Sequence, residues 1–195
     1  MAATERKQRA DAQRSVAAIL DAAMAVLARR PDASIEDIAR AAGVSRQTVY
    51  AHYPSRDALI KAVQELALAQ TIAAMDAAEL NKGPAAEALD RLVAAGWQTL
   101  ERYPLLMDVR AELSAQEELA LHQPILERLE RLVRRGRRRG EFDRTMPTNW
   151  LLTGFLALSH AAAEEVHAGR MTADESLPVL RTSVRRLYGV SDAAR

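Results

Sequence analysis

The sequence predicts an all-α protein of about nine helices. Its 195 residues include only 8 glycines and 7 prolines, while alanine and leucine, which favour helices, are abundant. No stretch has the strict alternation of apolar and polar residues that a half-buried strand requires. Apolar residues recur at helical spacing between short breaks, the clearest of which contain Pro31, Pro54, residues 81–84, Pro104 and Gly140.

Composition limits the class of protein. Lys and Arg total 27 against 26 Asp and Glu, so the net charge is +1 and any nucleic-acid binding must rest on local charge. The absence of cysteine excludes disulfides and thiolate metal sites. No apolar run is expected to reach the ~20 residues of a membrane span, and the polar N-terminus is unlike a signal peptide. The sequence therefore predicts a cytoplasmic protein, and nothing in it indicates a cofactor.

Two short helices joined by a tight turn are predicted after the first break. Ser34 is a natural N-cap with Asp37 three residues later, a pair that resembles a capping box. Gly43 follows the last apolar residue of this helix, where a left-handed turn is easiest. Ser45 then caps a second helix, in which Val49 supplies an inward apolar anchor. Such a pair is typical of a helix-turn-helix.

The outward face of the second helix carries residue types that contact DNA. With Val49 buried, the side chains of Arg46, Gln47 and Tyr50 point outward. A guanidinium, an amide and a phenol are suited to hydrogen bonds with base edges and phosphates. The alternative is an ordinary surface helix of an all-α protein, which would not need this combination of caps, turn and spacing.

Two segments also resemble a known family. "IARAAGVS" (38–45) followed by "TVYAHYPSRDALIKAV" (48–63) is similar to the DNA-binding signature of the TetR/AcrR transcriptional regulators. The resemblance implies a three-helix DNA-binding domain over residues 1–62, joined by a long helix to a helical ligand-binding and dimerisation domain over 63–195. It implies a repressor that binds a palindromic operator on double-stranded DNA and is released by a small effector. The residues expected to contact DNA are Ser34, Ser45, Arg46, Gln47, Thr48, Tyr50, His52 and Arg56.

The last two predicted helices each carry an apolar stripe. In the family that the chain resembles, the final two helices pair across a twofold axis into a four-helix bundle. We therefore expect a homodimer through residues 147–187, with burial in the protomer's own core as the alternative. The stripes consist of Leu152, Phe155, Leu156 and Ser159, and of Leu177, Leu180, Val184 and Leu187 at coiled-coil-like spacing.

The C-terminal domain is expected to hold an effector cavity. Few charged residues lie at its apolar-face positions, which favours a mainly apolar effector over a polyanion, with Arg110 as a candidate counter-ion. Each lining residue is also compatible with an ordinary core position. The expected lining consists of Trp97, Leu100, Tyr103, Met107, Arg110, His122, Leu126 and Trp150.

The most basic stretch, "LVRRGRRRGEFD" at residues 132–143, predicts a solvated helix end rather than a DNA contact. It closes an amphipathic helix in which Glu130 and Arg134 form a favourable i,i+4 pair. Cations in the last turn complement the helix dipole, and Gly140 is placed to end the helix. Contact with nucleic acid or with another partner is the alternative.

A helical-bundle metal-binding protein is the alternative function. His160, Glu164 and His167 share one helix face at spacing that could hold a metal ion. Di-iron bundles need the Glu-x-x-His motif twice together with two further glutamates, and only Glu164–His167 supplies it. No Ser/His/Asp grouping or phosphate-binding glycine loop is apparent, so the sequence does not predict an enzyme.

Overall fold

The computed structural model describes residues 2–102 and 114–190, and every regular element within these ranges is an α-helix. The all-α expectation is confirmed, with eight helices in the described part of the chain. A further helix, expected to begin at Pro104, lies outside the described residues. The helices are α1 (Ala2–Leu27), α2 (Ile35–Ala42), α3 (Arg46–His52), α4 (Arg56–Ala77), α5 (Ala85–Arg102), α6 (Ala115–Arg139), α7 (Thr148–His167) and α8 (Ala173–Leu187).

The chain divides into two compact units, Met1–Leu68 and Ala69–Arg195. The division falls inside α4, a little after the boundary expected at residues 62 and 63. In the N-terminal unit, α1 packs against α2 and α3, and α2 packs against α3. Ile19, Leu27 and Val49 are at most 1% exposed in this unit, so α1, α2 and α3 bury one common core.

The turn between α2 and α3 has the geometry that the sequence predicts. Ser34 Oγ accepts the Asp37 N–H at 3.2 Å, and the Asp37 carboxylate accepts the Ser34 N–H at 3.1 Å. Gly43 ends α2 at φ 68°, a left-handed conformation that costs glycine little and other residues more. The capping box and the glycine turn are thus confirmed.

In the C-terminal unit, α5 packs against α6, α7 and α8, and α7 packs against α8. Leu89, Leu92 and Leu129 are fully buried between these helices. Tyr188, just beyond α8, is also fully buried, and its hydroxyl donates to the Leu151 carbonyl at 2.9 Å. Burial raises the pKa of this phenol, so it remains a neutral donor that ties the end of α8 to α7.

Helix α6 continues through Pro124 without a restart. Its first turn is closed by a capping box in which Ser114 and Glu117 exchange backbone and side-chain hydrogen bonds. At the other end Gly140 adopts φ 73°, as predicted for the residue that ends this helix.

Four residues of the predicted dimer stripes are buried within a single protomer, and Ser159, at 8% exposure, is one of them. Phe155, Leu180 and Val184 are 3%, 2% and 0% exposed within a single protomer, because α7 and α8 pack against each other and against α5. Trp150 and Val179 are the large apolar side chains that α7 and α8 expose in the protomer, at 59% and 52%. Much of each apolar stripe therefore packs in the protomer's own core.

By length and composition, α4 is the one helix in the described residues that could cross a membrane, a feature the sequence expectation overlooked. One helix of this kind does not establish a membrane span, because core helices of soluble proteins have the same length and composition.

Candidate nucleic-acid interface

Helix α3 is anchored by its N-cap and by one buried side chain. Ser45 Oγ accepts the Thr48 N–H at 3.0 Å and lies 2.8 Å from the Thr48 hydroxyl. Val49 is fully buried, and the Tyr53 N–H closes the helix on the Val49 carbonyl at 2.8 Å. With one face fixed inward, the remaining positions of this short helix are directed outward.

The outward face presents Arg46, Gln47 and Tyr50, all of them exposed as the sequence predicts. Arg46 Nη2 donates to the Tyr50 hydroxyl at 3.3 Å, and its guanidinium lies 5.3 Å from the centre of the Tyr50 ring. The hydrogen bond that Arg46 donates to Tyr50 raises the pKa of Arg46, so the pair forms one permanently cationic group. A cation held over an aromatic ring is partly ordered in advance, which lowers the entropy lost on binding.

Ser34 and Arg56, which were also expected to contact DNA, have partners outside α3. Ser34 is engaged in the capping box with Asp37. Arg56 donates from Nη2 to the Pro31 carbonyl, which ties the start of α4 to the turn after α1. His52 is half-buried, with its ring 6.4 Å from that of Tyr53.

A carboxylate lies near the recognition face. Glu36 on α2 is exposed and pairs with Arg40 at 3.3 Å, and its charge contributes to the raised pKa of Arg46. Negative charge at this point disfavours a phosphate contact from α2, because the two groups would repel each other. The positively charged residue Arg46 on α3 therefore lies beside α2, whose exposed side chains carry both signs of charge.

The residues predicted to line the effector cavity differ in how deeply they are buried. Trp97 and Leu126 are 3% and 6% exposed, and Leu100 and His122 are half-buried. Trp150 is instead 59% exposed, so it does not form the wall of an enclosed cavity in this protomer. Tyr103, Met107 and Arg110 lie outside the described residues.

The C-terminal unit buries polar side chains, of which the sequence analysis named Ser159 and His160 in other roles and missed Thr71 and Thr99. Thr71, Thr99, Ser159 and His160 are each 6–8% exposed. The His160 ring on α7 meets the His122 ring on α6 edge to face, with 5.1 Å between their centres. Ser159 and His160 interrupt the apolar run of α7, and that interruption was the available signal.

The arginine-rich end of α6 is not a purely solvated helix end. Arg135 Nη1 donates to the carbonyls of Asn81 and Gly83, both at 2.9 Å, and Arg139 Nη1 donates to the Gly83 carbonyl at 2.8 Å. Arg137 donates to the Asp143 carbonyl at 3.0 Å and, like Arg135 and Arg139, is engaged within the chain. The predicted interpretation is wrong for these three arginines, because their acceptors belong to loops that periodicity does not locate.

The alternative metal site does not form. In the described residues, no three His, Cys, Asp or Glu side chains come close enough to hold a metal ion. His160 is buried, whereas Glu164 and His167 are exposed on the same helix. Their shared spacing therefore does not bring three ligands to one point.

The chain is similar to known regulatory proteins. The family model described as "Bacterial regulatory proteins, tetR family" matches residues 19–63, which contain α2 and α3. The HTH-type transcriptional repressor LfrR of Mycolicibacterium smegmatis is 37% identical over 161 residues, which cover 80% of this chain and 82% of LfrR. The HTH-type transcriptional regulator NfxB of Pseudomonas aeruginosa is 28% identical over 91% of this chain and 95% of NfxB.

The likeness extends to the tertiary structure. The crystal structure of LfrR from Mycobacterium smegmatis in complex with proflavine has a TM-score of 0.70 and 32% sequence identity, and covers 88% of this chain and 94% of that one. The helix-turn-helix geometry and a relative above 30% identity over most of both chains lead to one conclusion: the chain belongs to the tetR family of bacterial regulatory proteins.

Proposed function

We propose that this DNA-binding regulator is a cytoplasmic homodimeric repressor, which binds a palindromic operator through α3 and is released by a small, mainly apolar effector. The observation that carries the proposal is the exposed Arg46, Gln47 and Tyr50 face, which lies within the matched family segment 19–63. A guanidinium and an amide can each form bidentate contacts with a base edge, and a twofold dimer presents two such helices.

The proposed base contacts are tested by single substitutions on α3. Gln47→Ala and Tyr50→Ala should each weaken operator binding by about 1–3 kcal/mol, because each removes a contact with a base edge. Thr48→Ala should weaken binding to all duplexes alike, since a phosphate contact carries no sequence information. DNA selected from a random pool by the purified protein supplies the operator, and anisotropy of the labelled duplex reports affinity.

Gln98→Ala is the matched control, because Gln98 is an exposed glutamine on α5 in the C-terminal unit. Its operator affinity should equal that of the unaltered protein. Undiminished, sequence-specific binding by the Gln47→Ala, Tyr50→Ala double variant would remove α3 from the recognition surface.

The proposed effector site lies among the buried side chains of α5 and α6. Trp97 and Leu126 provide apolar surface, and the half-buried His122 provides a polar group beside it. Mostly apolar walls with a few polar groups are typical of small-molecule sites. The bound proflavine in the structure of LfrR, which is 32% identical, supports an aromatic ligand as the first one to test.

Proflavine binding is measured without DNA, through the anisotropy of its own fluorescence. Trp97→Phe should raise the dissociation constant by about tenfold, because truncating a buried contact of roughly 1.4 kcal/mol has that effect. Trp150→Phe changes the exposed tryptophan in the same way and serves as the control. Equal affinities for the two variants would place the ligand elsewhere.

A further inference from the structure

A basic groove opens in the C-terminal unit and shares no lining residue with the proposed effector site. Its volume is about 310 Å³, and it lies between the end of α4 with the turn that follows and one face of α6. Four arginines of α6 line it: Arg128, Arg131, Arg135 and Arg138. They recur at intervals of three or four residues and therefore follow one side of the helix over about 15 Å.

The charges of these arginines are largely uncompensated. Asp76 is the one carboxylate among the residues that line the groove, and Arg128 holds it with two hydrogen bonds of 2.8 Å. Four arginines against one aspartate leave three net positive charges at the groove. Arg131 and Arg138 are exposed and have no hydrogen bond or ion pair within the described part of the chain.

Arg135 lies between these two and is partly desolvated. Its Nη1 is bound to the carbonyls of Asn81 and Gly83, which fixes the orientation of the guanidinium. Its Nε and Nη2 have no hydrogen-bond partner in the structure and are closed to solvent, so Arg135 contributes its positive charge to the groove rather than an exposed donor edge. Burial and the nearby Arg139 lower the pKa of Arg135, and the Glu141 carboxylate offsets only part of this effect.

The floor of the groove is apolar. Met75 and Leu132 line it and are 1% and 2% exposed, and the half-buried Leu80 lies beside them. Met75 and Leu132 are already covered by the protein, so Leu80 is the one of the three whose apolar surface a ligand would cover. A ligand with an apolar body next to its charged group would cover it, whereas an inorganic ion would not.

We propose that this groove binds a small organic phosphate, whose phosphate lies between Arg131 and Arg138, beside the charge of Arg135, and whose apolar body covers Leu80. A phosphate group offers up to two negative charges and three acceptor oxygens, which suits three arginines better than a single carboxylate does. The site shares no residue with the proposed effector cavity and stands independently of it. The phosphates of duplex DNA are the competing occupant, and the same variants distinguish the two.

The experiment is a calorimetric titration of the full-length protein with phenyl phosphate at low ionic strength, with phenol and inorganic phosphate as separate probes. The test variant is Arg131→Gln with Arg138→Gln, because both side chains are exposed and their loss should leave the fold intact. Arg134→Gln is the matched control, since Arg134 is an exposed arginine of the same helix that pairs with Glu130 at 2.8 Å and does not line the groove.

Phenyl phosphate should bind one site per chain, more tightly than inorganic phosphate, while phenol should not bind. The double variant should bind phenyl phosphate more weakly by about tenfold or more, and Arg134→Gln should match the unaltered protein. Equal affinity in the double variant and the control, or no saturable binding of phenyl phosphate, would overturn the proposal. A salt slope for non-operator duplex that becomes shallower by about two in the double variant, without phenyl phosphate binding, would assign the groove to DNA.

Discussion

Gly136 shows how one residue of the arginine-rich stretch is determined by packing. It lies inside α6, where glycine costs about 0.5–1 kcal/mol relative to alanine. The Phe142 ring folds back over it so closely that a Cβ atom would lie 2.3 Å from Phe142 Cδ2. Phe142 is 3% exposed and meets Tyr188 edge to face, with 5.5 Å between the ring centres. The ring has no free space into which to move.

Gly136→Ala should therefore destabilise the C-terminal unit by about 1–3 kcal/mol, in spite of the better helix propensity of alanine. Gly96→Ala is the control, because Gly96 lies in the middle of α5 and a Cβ atom there would meet only Met75 Cε, at 3.8 Å. That variant should be neutral or slightly stabilised. Urea unfolding followed by tryptophan fluorescence measures both, since the two tryptophans, Trp97 and Trp150, belong to the C-terminal unit. If the two variants unfold at the same urea concentration, the Phe142 ring does not restrict the side chain at position 136.

At the scale of elements, the turn between α4 and α5 is held by side chains as well as by its own backbone. Arg91 donates to the carbonyls of Ala78, Glu79 and Lys82 at 2.8, 3.2 and 2.9 Å. Glu79 adopts φ 49°, a left-handed conformation that disfavours residues other than glycine. From the other side, Glu141 accepts the N–H groups that open α5, including that of Ala86 at 3.1 Å.

Arg91→Ala should lower the free energy of unfolding by about 1–3 kcal/mol. Three carbonyl oxygens lose a charged donor, and the turn with its left-handed residue loses its support. Arg134→Ala removes an exposed i,i+4 pair and should cost only about 0.3–0.5 kcal/mol. Tryptophan fluorescence during urea unfolding again separates the two. An Arg91→Ala variant as stable as Arg134→Ala would mean that the turn does not depend on these hydrogen bonds.

The capping box at the start of α8 predicts that the stability of the folded protein depends on pH. Glu175 accepts the Thr172 N–H at 2.9 Å and the Thr172 hydroxyl at 2.8 Å, and these hydrogen bonds lower the pKa of Glu175 from 4.5. Because the pKa is lower in the folded state, this stabilisation is complete above the unfolded-state pKa and is lost as the pH falls through the folded-state value.

Glu175→Gln keeps a side chain that can reach back to Thr172 but does not titrate. The unaltered protein should be more stable than the variant near neutral pH, and this advantage should shrink as the pH falls from about 6 to about 3. The thermal unfolding midpoint of each protein across this range is the measurement. A constant difference over the whole range would show that the Glu175 charge contributes nothing to the cap.

At the scale of the whole molecule, the proposed dimer must use what the protomer leaves exposed. Trp150 on α7 and Val179 on α8 fall within the expected interface, residues 147–187, and each exposes more than half of its surface. Large exposed apolar side chains are characteristic of interaction surfaces. Phe155 and Leu180, which the sequence places on the same two stripes, lie inside the protomer instead.

Trp150→Glu with Val179→Glu should give a folded monomer that has lost tight operator binding, because a palindrome is bound tightly only by two joined recognition helices. Leu119→Glu is the control, since Leu119 is a similarly exposed apolar residue on α6 outside the expected interface. Leu180→Glu should instead unfold the C-terminal unit, as a charge at a buried position does. Light scattering after size exclusion, with circular dichroism as the fold check, distinguishes these outcomes. A dimeric double variant would place the interface elsewhere.

The sequence by itself determined the features that depend on neighbours along the chain. The N-caps Ser34, Ser45 and Thr172 and the helix end at Gly140 are recognisable because a cap involves residues within one turn of each other. For the same reason, the burial of Val49 located the recognition face of α3. The helical class and the candidate DNA surface thus follow from local rules.

Only the tertiary structure decided which surfaces face each other. An apolar stripe indicates that a helix face is covered but not by what, so the periodicity that marks Leu180 could not separate protomer core from dimer interface. Likewise, the spacing of Arg135 and Arg139 gave no sign of the Gly83 carbonyl, more than 50 residues away along the chain. Such contacts depend on how whole helices pack, and packing is set by the combined shape and chemistry of many side chains rather than by any one segment.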